Sequence, residues 1–229
     1  MTKLSEDELH WSDVVANNAM NRERNAFGIN SYEKEIGINP LEFIKERKAQ
    51  ESICWFDLCC GQGNAIIQVA EALKEDEQLT SKLSLVGIDL VDYFSSFDES
   101  LNIQLKEQNL KEWTPKQEAD LVTIVHGLHY VGDKIDLIIK AIEGLKPNGI
   151  LVGNLDLDNI IIEHVKESRK IVLKHFDELG VFYDKRRRIL FKKGRASQKK
   201  IFKFIGADDK AGPNYTGQNV VNSYYELEN

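Results

Sequence analysis

The sequence predicts an α/β fold in which a mostly parallel β-sheet carries helices on both faces. From residue 53 onward, short apolar runs typical of buried strands alternate with helical segments, and this alternation produces parallel sheets. Pro and Gly residues punctuate the pattern, as in the stretch 146–149, where they stop a helix and start a turn.

The predicted elements follow in a regular order. Residues 1–50 are expected to be helical, and Asn39, Pro40 and Glu42 suit an N-cap, a first and a third helical position. Five strands are predicted at 53–58, 83–90, 102–108, 120–125 and 150–156, the first as a buried strand and the third from its alternating pattern.

Helices are predicted between these strands and after them. After the first strand, Ile66, Val69, Ala70 and Leu73 recur at helical spacing, and 134–145 forms a second amphipathic pattern. A further helix is predicted at about 160–179. The last two predicted strands, RRILFKK and KKIFKFIG, flank Gly194 and are expected to form a hairpin.

The composition and the charge of the chain argue against several classes of protein function. The 229 residues are 42% hydrophobic and 29% charged, as in soluble globular proteins, and the net charge of −7 argues against a general nucleic-acid binder. No apolar run is long enough to span a membrane, and the polar N-terminus lacks a signal-peptide core. Cys54, Cys59 and Cys60 cluster within one predicted strand and turn, which favours packing roles in a reducing, cytoplasmic compartment.

The turn after the first strand is the predicted cofactor site, because ligands of such sheets bind beyond the carboxyl ends of the strands. Asn64 and Ala65 follow Gly63, where a P-loop needs Lys and then Ser or Thr. A dinucleotide fingerprint starting at Gly61 would end at Ile66, whose bulk opposes the close contact made by Gly or Ala there.

The stretch DLCCGQG, residues 57–63, resembles the first motif of class I S-adenosylmethionine-dependent methyltransferases. The family often has glycine at the position of Cys59. The resemblance implies a Rossmann-like, doubly wound seven-stranded sheet, mostly parallel, with an antiparallel C-terminal hairpin and an N-terminal helical extension. It divides the chain into a helical lid at 1–50 and a methyltransferase core at 51–229. S-adenosylmethionine is the implied cofactor and S-adenosylhomocysteine the product.

The resemblance also implies the cofactor contacts. In the first turn these are Asp57, Cys59, Gly61 and Gly63. Asp89 ends the second strand and is expected to accept hydrogen bonds from both ribose hydroxyls, with Leu90 packing on the adenine. In the family, the loop after the third strand borders the adenine edge, which here gives Asn109 and Leu110. His126 occupies the position that touches the methionine moiety.

The stretch VHGLHY, residues 125–130, supplies the candidates for proton transfer. A hydroxyl or amide-type nitrogen acceptor loses a proton on methylation, and histidine titrates near neutral pH. We predict His129 as the general base, then His126, then Tyr130; the alternative is catalysis by alignment alone.

No metal site is predicted. Asp158 and Asn159 resemble the metal-binding pair of catechol-type methyltransferases. Val125-His126 stands where that group has its metal-binding acid.

Three further segments could help to select the molecule that accepts the methyl group. The polar segment Trp11–Tyr32, which includes Asn17, Asn18, Arg22, Arg24 and Asn25, is predicted to be a lid. The tail Gly206–Glu226 contains Tyr215, Tyr224 and Tyr225, which either brace the sheet or close the site. The segment Asp184–Ile205 carries ten Lys or Arg against one acid, which fits a solvent-facing hairpin or a site for an anionic partner such as RNA.

The sequence thus predicts a methyltransferase that modifies an oxygen or nitrogen atom of a small molecule, with carbon as a further option. One alternative is a methyltransferase of RNA, protein or peptide, but the Asn/Asp-Pro-Pro-aromatic motif of many such enzymes is absent after the fourth strand. Another is a non-catalytic cofactor-binding or regulatory module, since fold alone does not prove activity. Neither nucleic acid nor a membrane is expected as a partner, and the oligomeric state, a homodimer included, stays open.

Overall fold

The computed structural model describes residues 3–9, 11–12, 14–15, 23–197 and 200–228. The predictions for Asn17, Asn18 and Arg22 lie outside these residues. The strands of the described part are β1 Ile53–Leu58, β2 Leu83–Asp89, β3 Ile103–Glu107, β4 Ala119–Ile124, β5 Leu145–Asn154, β6 Ile160–Ile162, β7 Val181–Asp184, β8 Ile189–Lys193, β9 Phe202–Asp208 and β10 Asn222–Leu227.

Seven of these strands form one sheet in the order β3-β2-β1-β4-β5-β8-β7. Strands β1 to β5 pair in parallel, whereas β8 is antiparallel to both of its neighbours, β5 and β7. The order reverses between β1 and β4, which makes the sheet doubly wound. The predicted fold class is therefore confirmed.

The helices of the described part include α1 Glu6–Leu9, α2 Tyr32–Ile36, α3 Pro40–Lys45, α4 Asn64–Leu73, α5 Glu77–Thr80, α6 Lys134–Glu143 and α7 Ser168–Glu178. The predicted start of α3 is confirmed, because the Asn39 side chain accepts hydrogen bonds from the main-chain N–H groups of Leu41 and Glu42. Among the described helices, none combines the length and the apolar character needed to cross a bilayer.

The sheet is buried on both faces, which explains its continuous apolar strands. On β1, Ile53 and Trp55 face a cluster that contains residues of α2, α3 and α4. Cys54, Phe56 and Leu58 face the opposite cluster, which contains residues of α6 and α7.

The C-terminal hairpin of the sheet is β7–β8, so the predicted pairing of two strands around Gly194 is wrong. Strand β8 lies between β5 and β7, so both of its edges are occupied and β9 pairs elsewhere. The helix predicted from residue 160 begins at Ser168, because Ile160–Ile162 form β6.

A second sheet, which the sequence did not predict, has the order β6-β10-β9. Strand β10 is parallel to β6 and antiparallel to β9, and Leu4 forms an antiparallel bridge with Ala207 of β9. Tyr225 of β10 is fully buried and its hydroxyl donates to Asp133. This sheet brings residues near both ends of the chain together.

The described residues of the basic segment Asp184–Ile205 do not form one continuous surface. Because β8 runs antiparallel to β5, the turn Lys185–Arg188 lies at the carboxyl edge of β5, and Lys193 lies beside Ile150 at the far end. Outside that turn, Arg195 pairs with Glu118 at 2.8 Å, Lys200 with Asp136 at 2.5 Å and Lys203 with Glu226 at 3.7 Å.

Two phenylalanines test the assignment of the core. Phe176 of α7 is 1% exposed and Phe182 of β7 is 66% exposed. We expect Phe176→Ala to lower the free energy of unfolding by about 3–5 kcal/mol. The matched control Phe182→Ala should change it by about 0.5 kcal/mol or less. Urea unfolding checks both, and equal losses would contradict the packing of α7 on the sheet.

Candidate functional site

A cavity of about 380 Å³ lies at the carboxyl edge of the main sheet, beside the point where the strand order reverses. Its size is typical of small-molecule sites. Eight of the predicted site residues line it: Cys59, Gly61, Asp89, Leu90, Asn109, Leu110, His126 and Tyr130. The lining does not include Asp57, Gly63 or His129.

The first turn depends on left-handed backbone conformations. The φ angles of Cys59, Gly61 and Gly63 are 58°, 61° and 77°, a region that favours glycine. A Cβ atom on Gly63 would lie 2.8 Å from Leu105 Cδ1. The main-chain N–H of Gly61 donates to Asp89 Oδ2 at 2.8 Å, so the turn is joined to the end of β2 at the cavity wall.

The side chain of Cys59 packs against Gly127, in space that a side chain at position 127 would fill. Cys59 places a side chain where the family often has glycine. A Cβ atom on Gly127 would lie 2.2 Å from Cys59 Cβ and 2.4 Å from its sulfur. Gly127 therefore makes room for Cys59, and this contact was not predicted from the sequence, since the two residues belong to separate motifs.

Asp57 lies beneath the turn and is fully buried. Its carboxylate accepts hydrogen bonds from the hydroxyls of Thr123, at 2.6 Å, and Tyr32, at 2.8 Å. The indole N–H of Trp55 donates to the same Thr123 hydroxyl at 2.8 Å. Burial raises the pKa of Asp57 to about 7, while the two hydroxyl donors oppose that shift. Asp57 thus supports the cavity from below.

His126 lies at the cavity wall with a left-handed φ of 59°. Its main-chain N–H donates to the Asn154 side chain, and its Nε2 lies 3.0 Å from Glu35 Oε2. A carboxylate can only accept, so Nε2 carries the hydrogen. This hydrogen bond lowers the pKa of Glu35, whose other oxygen lies 3.7 Å from Arg24 Nε.

Sequence analysis missed Glu35. Its one signal is the i, i+3 spacing from Tyr32 on α2, which places both side chains on the same helix face. Both residues line the cavity.

His129 lies behind the cavity wall and is 1% exposed. Its Nε2 is 3.3 Å from the hydroxyl of Tyr215, which does line the cavity. Burial lowers the pKa of His129 well below 6.5, so the ring is neutral. Tyr130 lines the cavity, and its hydroxyl donates to Gln218 Oε1 at 2.8 Å.

One side of the cavity comes from segments near the two ends of the chain. Glu6, Leu9, Val15 and Arg24 precede α2, and Tyr215, Thr216 and Gln218 lie between β9 and β10. The Glu6 carboxylate accepts from the N–H groups of Gly132 and Asp133, and burial raises its pKa. The N-terminal segment is therefore attached to the loop after Tyr130.

Asp158 and Asn159, which follow β5, contact side chains of the protein itself. Asp158 lies 3.4 Å from Arg169 and 3.7 Å from Arg188, and Asn159 donates to Asn222. Within the described ranges, no three His, Cys, Asp or Glu side chains are grouped so as to hold a metal ion.

The Cys59–Gly127 contact gives a double-mutant test. We expect Gly127→Ala to lower the free energy of unfolding by about 1–3 kcal/mol, because the added methyl group overlaps Cys59. Adding Cys59→Gly should recover most of that loss. Denaturant unfolding of the two single variants and the double variant measures the coupling. Additive effects, within about 0.5 kcal/mol, would contradict the contact.

Comparison with solved structures gives distant similarities. A plantazolicin methyltransferase, BpumL, in complex with SAH is 16% identical, with 66% of this chain and 57% of that chain covered and a TM-score of 0.46. The [4+2]-cyclase SpnF is 14% identical, with 67% and 61% covered and a TM-score of 0.42. An S-adenosylmethionine-dependent methyltransferase from Clostridium acetobutylicum is 22% identical, with 51% and 49% covered and a TM-score of 0.35.

The chain spans less than two thirds of the length of each of these structures. A search of curated proteins gives no match. The family model described as a methyltransferase domain matches residues 32–204, a range that begins with α2 and includes β1 to β8. With most of its length matched, the chain belongs to the methyltransferase domain family, with the class I, S-adenosylmethionine-dependent fold that its first turn resembles.

Proposed function

We propose that this protein transfers the methyl group of S-adenosylmethionine to an oxygen or nitrogen atom of a small molecule. One observation carries the proposal: a single cavity is lined by the first turn, by the Asp89 carboxylate and by the His126–Glu35 pair. The first two suit an adenosyl cofactor, and the third suits removal of a proton from an acceptor.

The cavity residues fit the cofactor. One oxygen of Asp89 accepts from Gly61, and a carboxylate has further lone pairs with which to accept from ribose hydroxyls. Leu90 and Leu110 offer apolar surface for the adenine, with Asn109 beside them. When bound, S-adenosylmethionine supplies a methyl group on a positively charged sulfur, which is electrophilic without further activation.

His126 is the proposed general base. Its Nε2 donates to Glu35, so in the neutral ring the lone pair is on Nδ1, which can take the proton of the acceptor. The Glu35 carboxylate then stabilises the imidazolium. His129, the first choice from the sequence, has no surface in the cavity, and Tyr130 lines the cavity as a contact residue.

The parts of the chain outside the matched domain support a small acceptor. Leu9, Val15 and Arg24 before residue 32, and Tyr215 after residue 204, line the same cavity. We propose that the N-terminal segment within residues 1–50 acts as a lid on the core 51–229. A covered cavity suits a small molecule better than a macromolecule, and the free thiols Cys54, Cys59 and Cys60 fit a reducing cytoplasm.

The acceptor class can be tested without knowing the acceptor. The protein is incubated with methyl-labelled S-adenosylmethionine and, separately, with the small-molecule, RNA and protein fractions of a bacterial extract. We expect the label to enter a compound of the small-molecule fraction. Label in RNA or protein would favour the alternative acceptors. Cofactor binding without any transfer would favour the non-catalytic module.

The proposed base can be tested in the same assay. We expect His126→Asn to lower turnover by about 10²-fold or more, because it removes the proton acceptor. Glu35→Gln should lower turnover less, since the amide can still accept from Nε2 but carries no charge. Glu33→Gln, on the exposed side of α2, is the matched control and should not change the rate. A change under a few-fold in His126→Asn would show that alignment alone suffices.

A further inference from the structure

The hydrogen bond between His129 and Tyr215 has no role in the mechanism proposed above. Tyr215 lines the cavity, and its hydroxyl lies 3.3 Å from His129 Nε2. Residue 215 lies beyond the matched methyltransferase domain, in the segment between β9 and β10. The pair thus joins the loop that carries His126 to a segment outside the matched domain.

The burial of His129 decides where its proton lies. The ring is neutral, because burial and the positive charges of nearby Arg188 and Arg24 lower its pKa. Among the described residues, Nδ1 is buried without a hydrogen-bond partner. A buried N–H without an acceptor is rarer and more costly than an unused acceptor. The proton therefore belongs on Nε2, which donates to the Tyr215 oxygen.

This arrangement leaves the hydrogen of the Tyr215 hydroxyl free to point into the cavity. Burial raises the pKa of Tyr215 to about 12, so the group remains a donor at neutral pH. The guanidinium of Arg188 lies over the Tyr215 ring, 4.3 Å from its centre. Arg188 is in turn paired with Asp156 and Asp158.

Three planar rings, those of His126, Tyr130 and Tyr215, line the cavity around the buried ring of His129. The ring of His129 lies 5.6 Å from that of His126, 6.2 Å from that of Tyr130 and 5.6 Å from that of Tyr215. His126, Tyr130 and Tyr215 all line the cavity. Such a wall favours a planar aromatic ligand, which can pack edge-to-face or offset against its members.

Positive charge lies beside the same wall. The turn Lys185–Arg188 is at the carboxyl edge of the sheet, and Arg187 donates to the main-chain oxygen of Glu35, a cavity residue. In the part of the chain that the structure describes, Lys185, Arg186 and Arg187 form no ion pair with a carboxylate. These three residues lie outside the cavity lining, which itself contains Arg24 and the carboxylates of Glu6, Glu35 and Asp89, each already bonded to an N–H group. The charge of the turn, together with that of Arg24, favours an acceptor that carries an anion.

We propose that Tyr215 binds the acceptor, and that the acceptor is a hydroxylated aromatic acid. The Tyr215 hydroxyl donates a hydrogen bond to an oxygen of the acceptor's carboxylate, and His129 is a positioning residue that orients this hydroxyl. The proposal rests on the proposed function, because it assumes that the cavity holds an acceptor beside S-adenosylmethionine.

Three small acceptors test separately whether the protein requires a carboxylate and whether it requires an aromatic ring. The probes are 4-hydroxybenzoate, 4-methylphenol, which lacks the carboxylate, and 4-hydroxycyclohexanecarboxylate, which lacks the aromatic ring. With methyl-labelled S-adenosylmethionine, we expect kcat/KM for 4-hydroxybenzoate to exceed that for each of the others by at least about tenfold. Equal use of 4-methylphenol, or no transfer to 4-hydroxybenzoate by protein that binds the cofactor, would overturn the proposal.

Variants assign the preference to Tyr215. Tyr215→Phe keeps the ring and should raise KM for 4-hydroxybenzoate by about tenfold, remove the preference over 4-methylphenol and leave S-adenosylmethionine affinity unchanged. Tyr93→Phe, an exposed tyrosine outside the cavity lining, is the control and should behave as the wild type. An unchanged preference in Tyr215→Phe would overturn the role of the hydroxyl.

His129 is tested through a conservative replacement. His129→Gln keeps an N–H that can donate to Tyr215, whereas His129→Leu does not. We expect the Gln variant to retain more of the preference for 4-hydroxybenzoate than the Leu variant. Equal loss would overturn the positioning role. Failure of the wild-type protein to bind S-adenosylmethionine is a distinct result, since it would remove the proposed function itself.

Discussion

The buried carboxylate of Asp57 is the constraint on which the site depends. A carboxylate taken out of water without partners costs several kcal/mol, so the hydroxyls of Tyr32 and Thr123 must both meet it. Tyr32 belongs to α2 and Thr123 to β4, which fixes the helix against the sheet at the carboxyl end of β1. The same face of α2 carries Glu35, which bonds His126. One buried carboxyl group and its two hydroxyl partners thus position the proposed base.

The first turn connects the two halves of the cavity. On one side, its Gly61 N–H holds Asp89 in the proposed ribose position. On the other side, Cys59 fills the space that Gly127 leaves open, so the turn packs against the loop that carries His126. The segments that complete the cavity come from outside the matched domain. Walls contributed from outside the shared domain are one way in which a fold can serve different acceptors.

Local patterns in the sequence predicted the elements that depend on neighbouring residues. Strand β1 has the predicted bounds, and Asn39 caps α3 as expected. Long-range strand pairing was not predictable from the sequence. The sequences of β8 and β9 are consistent with a hairpin, but β5 occupies the edge of β8 with which β9 would have to pair. The contacts of Glu35 with His126 and of Tyr215 with His129 were not predictable either, because the partners are 91 and 86 residues apart in the chain. The burial of His129 behind the cavity wall was not predictable either, because a sequence motif does not show which side chains are buried.

The central claim is that the turn at residues 57–63 binds an adenosyl sulfonium cofactor. Calorimetric titration of the purified protein with S-adenosylmethionine, S-adenosylhomocysteine and NAD tests it most directly, with Asp89→Ala as the companion variant. The account predicts that the first two bind and NAD does not, and that Asp89→Ala weakens binding by about 1.5–3 kcal/mol, as expected for hydrogen bonds to a charged group. Binding of NAD alone, or unchanged affinity in the variant, would contradict it.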